Sequence, residues 1–191
     1  MRQFILVFLL IVLAACQPSG TGKQLVATDI TGADFGHELS LTDHHGQSRS
    51  LAEFKGKAVV LFFGYTHCPD VCPTTMIDLK QTMKLLGPRA DEVQVLFVTL
   101  DPERDTQAVL AKFVPSFDAR FIGLRGDEPA TKLVQANFKI YAKKVEVKGK
   151  STYTLDHSAG MYVFDKTGKI RLYVDYGEKP ADIANDILQV L

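Results

Sequence analysis

The chain predicts an α/β fold, a central mixed sheet flanked by helices. Three observations carry this. The stretches "AVVLFFGY" (Ala58 to Tyr65) and "VQVLFVTLD" (Val93 to Asp101) are unbroken apolar runs, rich in β-branched and aromatic residues, as strands buried on both faces require. Between and after them, apolar residues recur at helical spacing. Strand-like alternation then returns, and an amphipathic helix closes the chain. Strands alternating with helices give a sheet covered on its faces, with the early units parallel.

The first residues do not belong to that domain. Arg2 supplies a positive start, and Phe4 to Ala15 is an apolar run of 12 residues. A spanning helix needs about 20, so the run fits the apolar region of an export signal. It ends in "LAAC", Leu13 to Cys16, which resembles the lipobox of bacterial lipoproteins. In that class the cysteine is acylated and becomes the mature N-terminus. Cys16 is therefore a candidate lipidation site; a plain signal peptide is the alternative. "QPSGTGKQ", Gln17 to Gln24, is small and polar and reads as a flexible tether. The expected organisation is a signal peptide at 1–15, a lipidated N-terminus and tether at 16–33, and one domain at 34–191.

Within the domain, "HELSLTDHHGQSRSL" alternates around a polar Asp-His-His-Gly turn and reads as a hairpin. The strand at 58–65 follows. After Pro73, Met76, Leu79, Met83 and Leu86 fall on one helical face, and Gly87-Pro88 stops that helix. The second buried strand leads to a helix from Asp105, "DTQAVLAKFVPSF". Another helix follows in "EPATKLVQANF", with Pro129 in its first turn. Lys139 to Thr154 alternates through a Lys-Gly turn and reads as an inserted hairpin. "AGMYVFDKTGKIRLYVDYG" reads as an edge hairpin, and "PADIANDILQVL" as the closing helix. A β-α-β half joined to a β-β-α half is the thioredoxin arrangement. Here it carries an extra N-terminal β-hairpin and an inserted β-hairpin before the loop that holds His157. Loops at the carboxyl ends of the parallel strands are where such folds place their sites.

Composition narrows the function classes. Lys+Arg and Asp+Glu are equal at 22 each, so there is no electrostatic footprint for nucleic acid or an anionic membrane surface. There are 3 cysteines. Disulfides persist outside the cytoplasm. With Cys16 in lipid, Cys68 and Cys72 can pair only with each other or with another molecule. A purely structural disulfide between them would close a very small loop and constrain the unfolded chain little.

The two cysteines lie in "FGYTHCPDVCP", positions 63 to 73, with three residues between them. Thioredoxin-type redox centres have two. Pro73 suits the first position of a helix, which puts Cys72 near the N-cap and Cys68 in the loop before it. Proximity to the positive helix end lowers thiol pKa values and favours thiolate. Thiolate both attacks disulfides and binds metal. Two sulfurs alone make a poor structural metal site, since structural zinc takes four ligands. A third donor is therefore sought among the histidines.

His37, His44 and His45 belong to the polar hairpin and read as solvated. His67 adjoins Cys68, but neighbours at a strand end point in different directions. His157 lies in "YTLDHSAGMYVF", where a thioredoxin-like topology brings the loop toward the cysteine helix. It is a candidate ligand, set against a hydrogen-bonded loop histidine. Two thiolates and an imidazole are a soft donor set that suits copper. Cu(II) would take a fourth ligand, water or a carboxylate, with Asp156 and Asp101 nearby; Asp70 reads as solvated.

"FGYTHCPDVCP", "VTLDPERDT" (Val98 to Thr106) and "YTLDHSAGMYVFD" (Tyr153 to Asp165) together resemble the Sco family, also called SenC. The resemblance runs from about Phe35 onward. It implies a membrane-tethered thioredoxin-fold protein that helps assemble the dinuclear copper centre of cytochrome c oxidase. Cys68, Cys72 and His157 would then bind one copper ion, Cu(I) or Cu(II). The implied partners are the copper-site subunit of the oxidase, a periplasmic copper donor and a thioredoxin-like thiol reductant. Many members carry a transmembrane helix, whereas this sequence points to a lipid. Two activities follow: copper delivery, or thiol–disulfide reduction by the Cys68/Cys72 pair. A copper or redox sensor is a third. Peroxidase chemistry of the peroxiredoxin kind lacks its signature here.

Overall fold

The structure is a computed structural model that describes residues 24–149 and 151–191. The expected signal peptide, Cys16 and the start of the tether lie outside the described residues. The elements are β1 (Thr28–Asp29), β2 (Ser40–Asp43), β3 (Ser48–Ser50), β4 (Ala58–Gly64), α1 (Val71–Leu86), β5 (Val93–Thr99), α2 (Gln107–Phe113), β6 (Ile122–Arg125), α3 (Glu128–Asn137), β7 (Ala142–Glu146), β8 (Tyr153–His157), β9 (Met161–Phe164), β10 (Ile170–Val174) and α4 (Pro180–Val190).

Eight strands form one mixed sheet in the order β1-β10-β9-β4-β5-β6-β2-β3. Every residue of β4 and β5 is buried, which is why both read as continuous apolar runs. They pair in parallel, and β6 continues the parallel set. β9 runs antiparallel to β4. This is the thioredoxin-like arrangement expected. α1 and α4 pack on each other, and Met76, Leu79, Met83 and Leu86 form the buried face of α1 as their spacing predicts. Leu79 is fully buried, so Leu79→Ala would cost about 2–5 kcal/mol. Gly87, at φ 55, ends the helix, where a residue without Cβ carries no steric penalty.

Several expectations need correction. β6 was not anticipated. Its four residues include Gly123 and are too short to show a period. β1 lies within the stretch expected to be tether. Thr28 and Asp29 pair with Tyr173 and Leu172 of β10, so β9–β10 is not a bare edge. Just before β1, the buried Asp186 carboxylate accepts from the amides of Val26 (2.9 Å) and Ala27 (2.7 Å), which fixes the chain to α4. The N-terminal hairpin, β2–β3, extends the main sheet through antiparallel pairing of β2 with β6. α2 begins after Thr106, whose side chain accepts from the Val109 amide. Asp105, expected to start that helix, is instead fully buried.

The inserted hairpin is β7–β8, a separate two-stranded sheet. It runs further than expected. His157 is the last residue of β8, paired with Ala142 of β7; it does not sit in a loop beyond the hairpin. Among the described residues, no helix is long and apolar enough to cross a membrane.

Candidate metal centre

The cysteines sit where β4 gives way to α1. The connection runs from Tyr65 to Asp70. The helix starts two residues earlier than Pro73 suggests: Asp70 is its N-cap and Val71 its first residue. Pro73 falls third. That costs nothing, because amides of the first turn have no partner within the helix. Cys72 is thus inside the first turn. Its own amide donates to Cys68 Sγ at 3.3 Å, so the peptide geometry of the helix start holds the two residues side by side. Both cysteines are free thiols; Cys72 is buried and Cys68 partly exposed.

Burial overturns one expectation. Proximity to the helix N-terminus predicts lowered thiol pKa values. The Cys72 thiol is instead pushed well up, first because burial disfavours the thiolate. The backbone at Tyr65 works the other way without prevailing. The sulfur is close-packed: a Cβ on Gly64 would lie 2.9 Å from it.

His157 reaches the pair from the other side. Its Nε2 lies 3.6 Å from Cys72 Sγ. Its Nδ1 lies 2.7 Å from the Ser158 carbonyl oxygen. A carbonyl only accepts, so Nδ1 carries the proton and Nε2 presents its lone pair to the cysteines. Burial, foremost, holds the His157 pKa below the usual imidazole value; the neutral form is the one that ligates a metal. One ligand atom from each of Cys68, Cys72 and His157 lies within 4.8 Å of the others. Among the described residues this is the one cluster of its kind. A cavity of about 480 Å³ opens beside it, lined by Cys68, Asp70, Val145, Asp156 and His157 among others. Cys72 stands behind that lining.

The remaining candidates are kept apart from the cluster. His67 is exposed and lies 3.6 Å from the Asp105 carboxylate. His37 and His45 are exposed, as read from sequence. His44 is not. It is buried, and its Nδ1 accepts from the Gly123 amide at 2.9 Å. The hairpin turn packs against β6, the strand that sequence reasoning did not see. Asp101 is buried and already engaged, by Arg104 Nε at 2.5 Å and Tyr153 Oη at 2.8 Å. Asp70 and Asp156 are exposed and face the cavity.

The surroundings of the cluster were also unforeseen. Asp105 accepts from the Thr66 amide (2.9 Å), the Thr66 hydroxyl (2.6 Å) and the Thr99 hydroxyl (2.6 Å). It thereby fixes the start of the cysteine loop to the end of β5. Tyr65 is buried. Its hydroxyl oxygen accepts from the Leu155 amide at 3.1 Å, and its ring meets His157 edge-on at 5.7 Å. The sequence signal for these residues is their place in the three quoted motifs: Tyr65 and Thr66 in "FGYTHCPDVCP", Thr99 and Asp105 in "VTLDPERDT", and Leu155 in "YTLDHSAGMYVFD".

Fold and cluster together define a thioredoxin-like protein with a soft-donor group at the carboxyl end of its central strands. The chain belongs to the SCO1/SenC family, whose model matches residues 27–191. It is 38% identical over 141 residues to the mitochondrial SCO2 homolog of Bos taurus, covering 73% of this chain and 52% of that protein. The chain thus spans about half the length of that relative. Among solved structures it is similar to Bradyrhizobium japonicum ScoI with copper bound, at 38% identity and a TM-score of 0.75. That match covers 83% of this chain and 100% of the other. Apo Sco1 from Thermus thermophilus is 31% identical with a TM-score of 0.79, covering 90% and 100%.

Proposed function

We propose that this protein carries one copper ion on Cys68, Cys72 and His157 and delivers it to the dinuclear copper site of cytochrome c oxidase during assembly. The observation that carries this reading is the imidazole of His157, placed 3.6 Å from Cys72 Sγ. Dithiol–disulfide exchange itself needs only the two sulfurs. Copper is the cargo. Two sulfurs and an imidazole match its preference for soft donors, and the set falls one short of a structural zinc site. The copper-bound relative supports the same choice.

The three donors have different exposures, which orders their roles. Cys72 is buried and is the anchoring ligand. Cys68 and His157 line the open cavity, so an incoming thiolate of the oxidase subunit displaces them first. Both thiols lose their protons on binding; for Cys72, the metal supplies the stabilisation that burial withholds from a free thiolate. Only the reduced pair can hold the ion. A copper donor and a thioredoxin-like reductant outside the cytoplasm would load and reset the site. The "LAAC" sequence ending at Cys16 supports lipid anchoring to a cell membrane, with the domain facing the periplasm or extracytoplasmic space.

A second reading rests on the pairing of one accessible and one buried cysteine. Cys68 thiolate would attack a disulfide of the oxidase subunit, forming a mixed disulfide and releasing one partner thiol. Cys72 thiolate would then attack Cys68 Sγ, releasing the second thiol and leaving this chain oxidised by two electrons. The raised pKa of Cys72 disfavours that second step.

The test is anaerobic titration with Cu(I) against a chromogenic competitor. The reduced protein is expected to bind one ion tightly. The oxidised protein and a Cys72→Ser variant are expected to bind at least about a hundredfold more weakly (~2.7 kcal/mol). Weak binding by the reduced protein would leave the thiol reductant as the function.

A further inference from the structure

His157 depends on an element that cannot position it unaided. A two-stranded hairpin is marginally stable in water, and β7–β8 lies outside the main sheet. Side chains alternate along a strand, so Tyr153, Leu155 and His157 share one face of β8. Leu155 is held by its amide, bonded to Tyr65 Oη at 3.1 Å. Tyr153 is held more elaborately. Its hydroxyl donates to Asp101 Oδ1 at 2.8 Å. The Arg104 guanidinium lies 3.6 Å from its ring centroid, and Arg104 Nη1 donates to its carbonyl at 2.9 Å. Arg104 is in turn fixed to Asp101. Lys144 of β7 pairs with Glu103. The 101–104 connection between β5 and α2 therefore grips the hairpin four residues before the histidine.

We propose that Tyr153 is a positioning residue of the metal site. Locked between Arg104 and Asp101, it determines which face of β8 turns toward the cysteines. It thereby holds the His157 imidazole within reach of Cys72. The inference rests on the reading of Cys68, Cys72 and His157 as copper ligands. A stacked guanidinium and a buried carboxylate converge on the Tyr153 side chain, and the same guanidinium also holds its backbone carbonyl. Such convergence fixes orientation more tightly than burial alone. Tyr65, between the Arg104 guanidinium (5.8 Å) and the His157 ring (5.7 Å), lies along the same path.

The test is a double-mutant cycle on the full chain, reading Cu(I) affinity for Tyr153→Leu, His157→Ala and the pair, with Tyr153→Phe as the conservative variant. Tyr153→Leu is expected to weaken Cu(I) binding about tenfold (~1.4 kcal/mol). In the His157→Ala background the same change is expected to cost less than about twofold, because the path to the metal is gone. Tyr153→Phe keeps the ring under Arg104 and is expected to lose about twofold to threefold, again only when His157 is present. In the copper-free protein, proton NMR of His157 supplies a second readout. The shift imposed by the Tyr65 ring is expected to collapse in Tyr153→Leu and to persist in Tyr153→Phe. Equal losses in both backgrounds, or an unmoved His157 signal, would overturn the proposal while leaving the metal site intact. If His157→Ala by itself leaves affinity unchanged, the metal reading fails and the proposal falls with it. If Tyr153→Leu does not fold, Tyr153→Phe decides: a loss confined to the His157-containing protein supports the proposal, and no loss overturns it.

Discussion

His157 Nε2 stands 3.6 Å from Cys72 Sγ across 85 residues of sequence. The contact joins the only two-stranded sheet among the described residues to the first turn of α1. On the proposed copper site, removing the imidazole takes away one of three donors. His157→Ala is expected to weaken Cu(I) binding at least about tenfold (~1.4 kcal/mol). It is expected to leave alkylation of Cys68 by iodoacetamide unchanged. The same anaerobic titration, with thiol labelling beside it, checks both. Unaltered affinity would remove His157 from the site.

Gly64 is the last residue of β4, and its lack of a side chain makes room for a sulfur. A Cβ there would lie 2.9 Å from Cys72 Sγ and 3.0 Å from Phe97 Cε2. Both neighbours are fully buried and have little freedom to retreat. Gly64→Ala is expected to destabilise the fold by about 1–3 kcal/mol and to weaken copper binding by displacing Cys72. Urea denaturation gives the first quantity and Cu(I) competition the second. A variant of native stability and native affinity would show that the strand end yields easily.

Asp105 satisfies three donors, from Thr66 and Thr99. Asp105→Ala removes the acceptor from the buried Thr99 hydroxyl and from the half-buried Thr66 amide and hydroxyl. The expected loss is about 1–3 kcal/mol, with faster hydrogen exchange at the Thr66 amide. Asp105→Asn keeps one acceptor oxygen and is expected to lose less. Comparable losses in the two variants would argue that the charge, and not the hydrogen bonding, matters.

His44 provides a pH dependence away from the metal cluster. Burial is the largest reason its pKa is depressed, the neighbouring His45 adds to it, and Asp43 opposes it. Protonation at Nδ1 would also break the bond from the Gly123 amide. A histidine with a depressed folded pKa stabilises the fold above its unfolded value of about 6.5. That contribution is lost as pH falls through the folded pKa. Wild type is therefore expected to lose more stability than His44→Gln between about pH 7.5 and about pH 5. Urea midpoints at the two pH values measure it, and equal losses would refute the assignment.

Much of this was visible in the sequence wherever a long period existed. β4, β5, α1 and α4 each bury a face or both faces along seven or more residues, and their patterns said so. β6 has four residues and a glycine, and β1 has two; neither is long enough to register. His44 sat in a polar turn and looked solvated because the strand that covers it was missing from the reading. Cys72 looked like a thiolate because a helix N-terminus is a local feature. Its complete burial against the end of β4 at Gly64 is not.

The sequence by itself determined the α/β alternation, the buried strands and the two cysteines at the end of one of them. Those follow from hydrophobic period and from residue spacing, which are local. It also singled out His157, through family resemblance more than through spacing. Tertiary structure alone decided that His157 ends a strand and faces Cys72. It also decided that Tyr65, Tyr153, Arg104 and Asp105 brace the approach, and that burial overrides the helix terminus at Cys72. Those depend on which elements meet, and on how much water their meeting removes from each polar group.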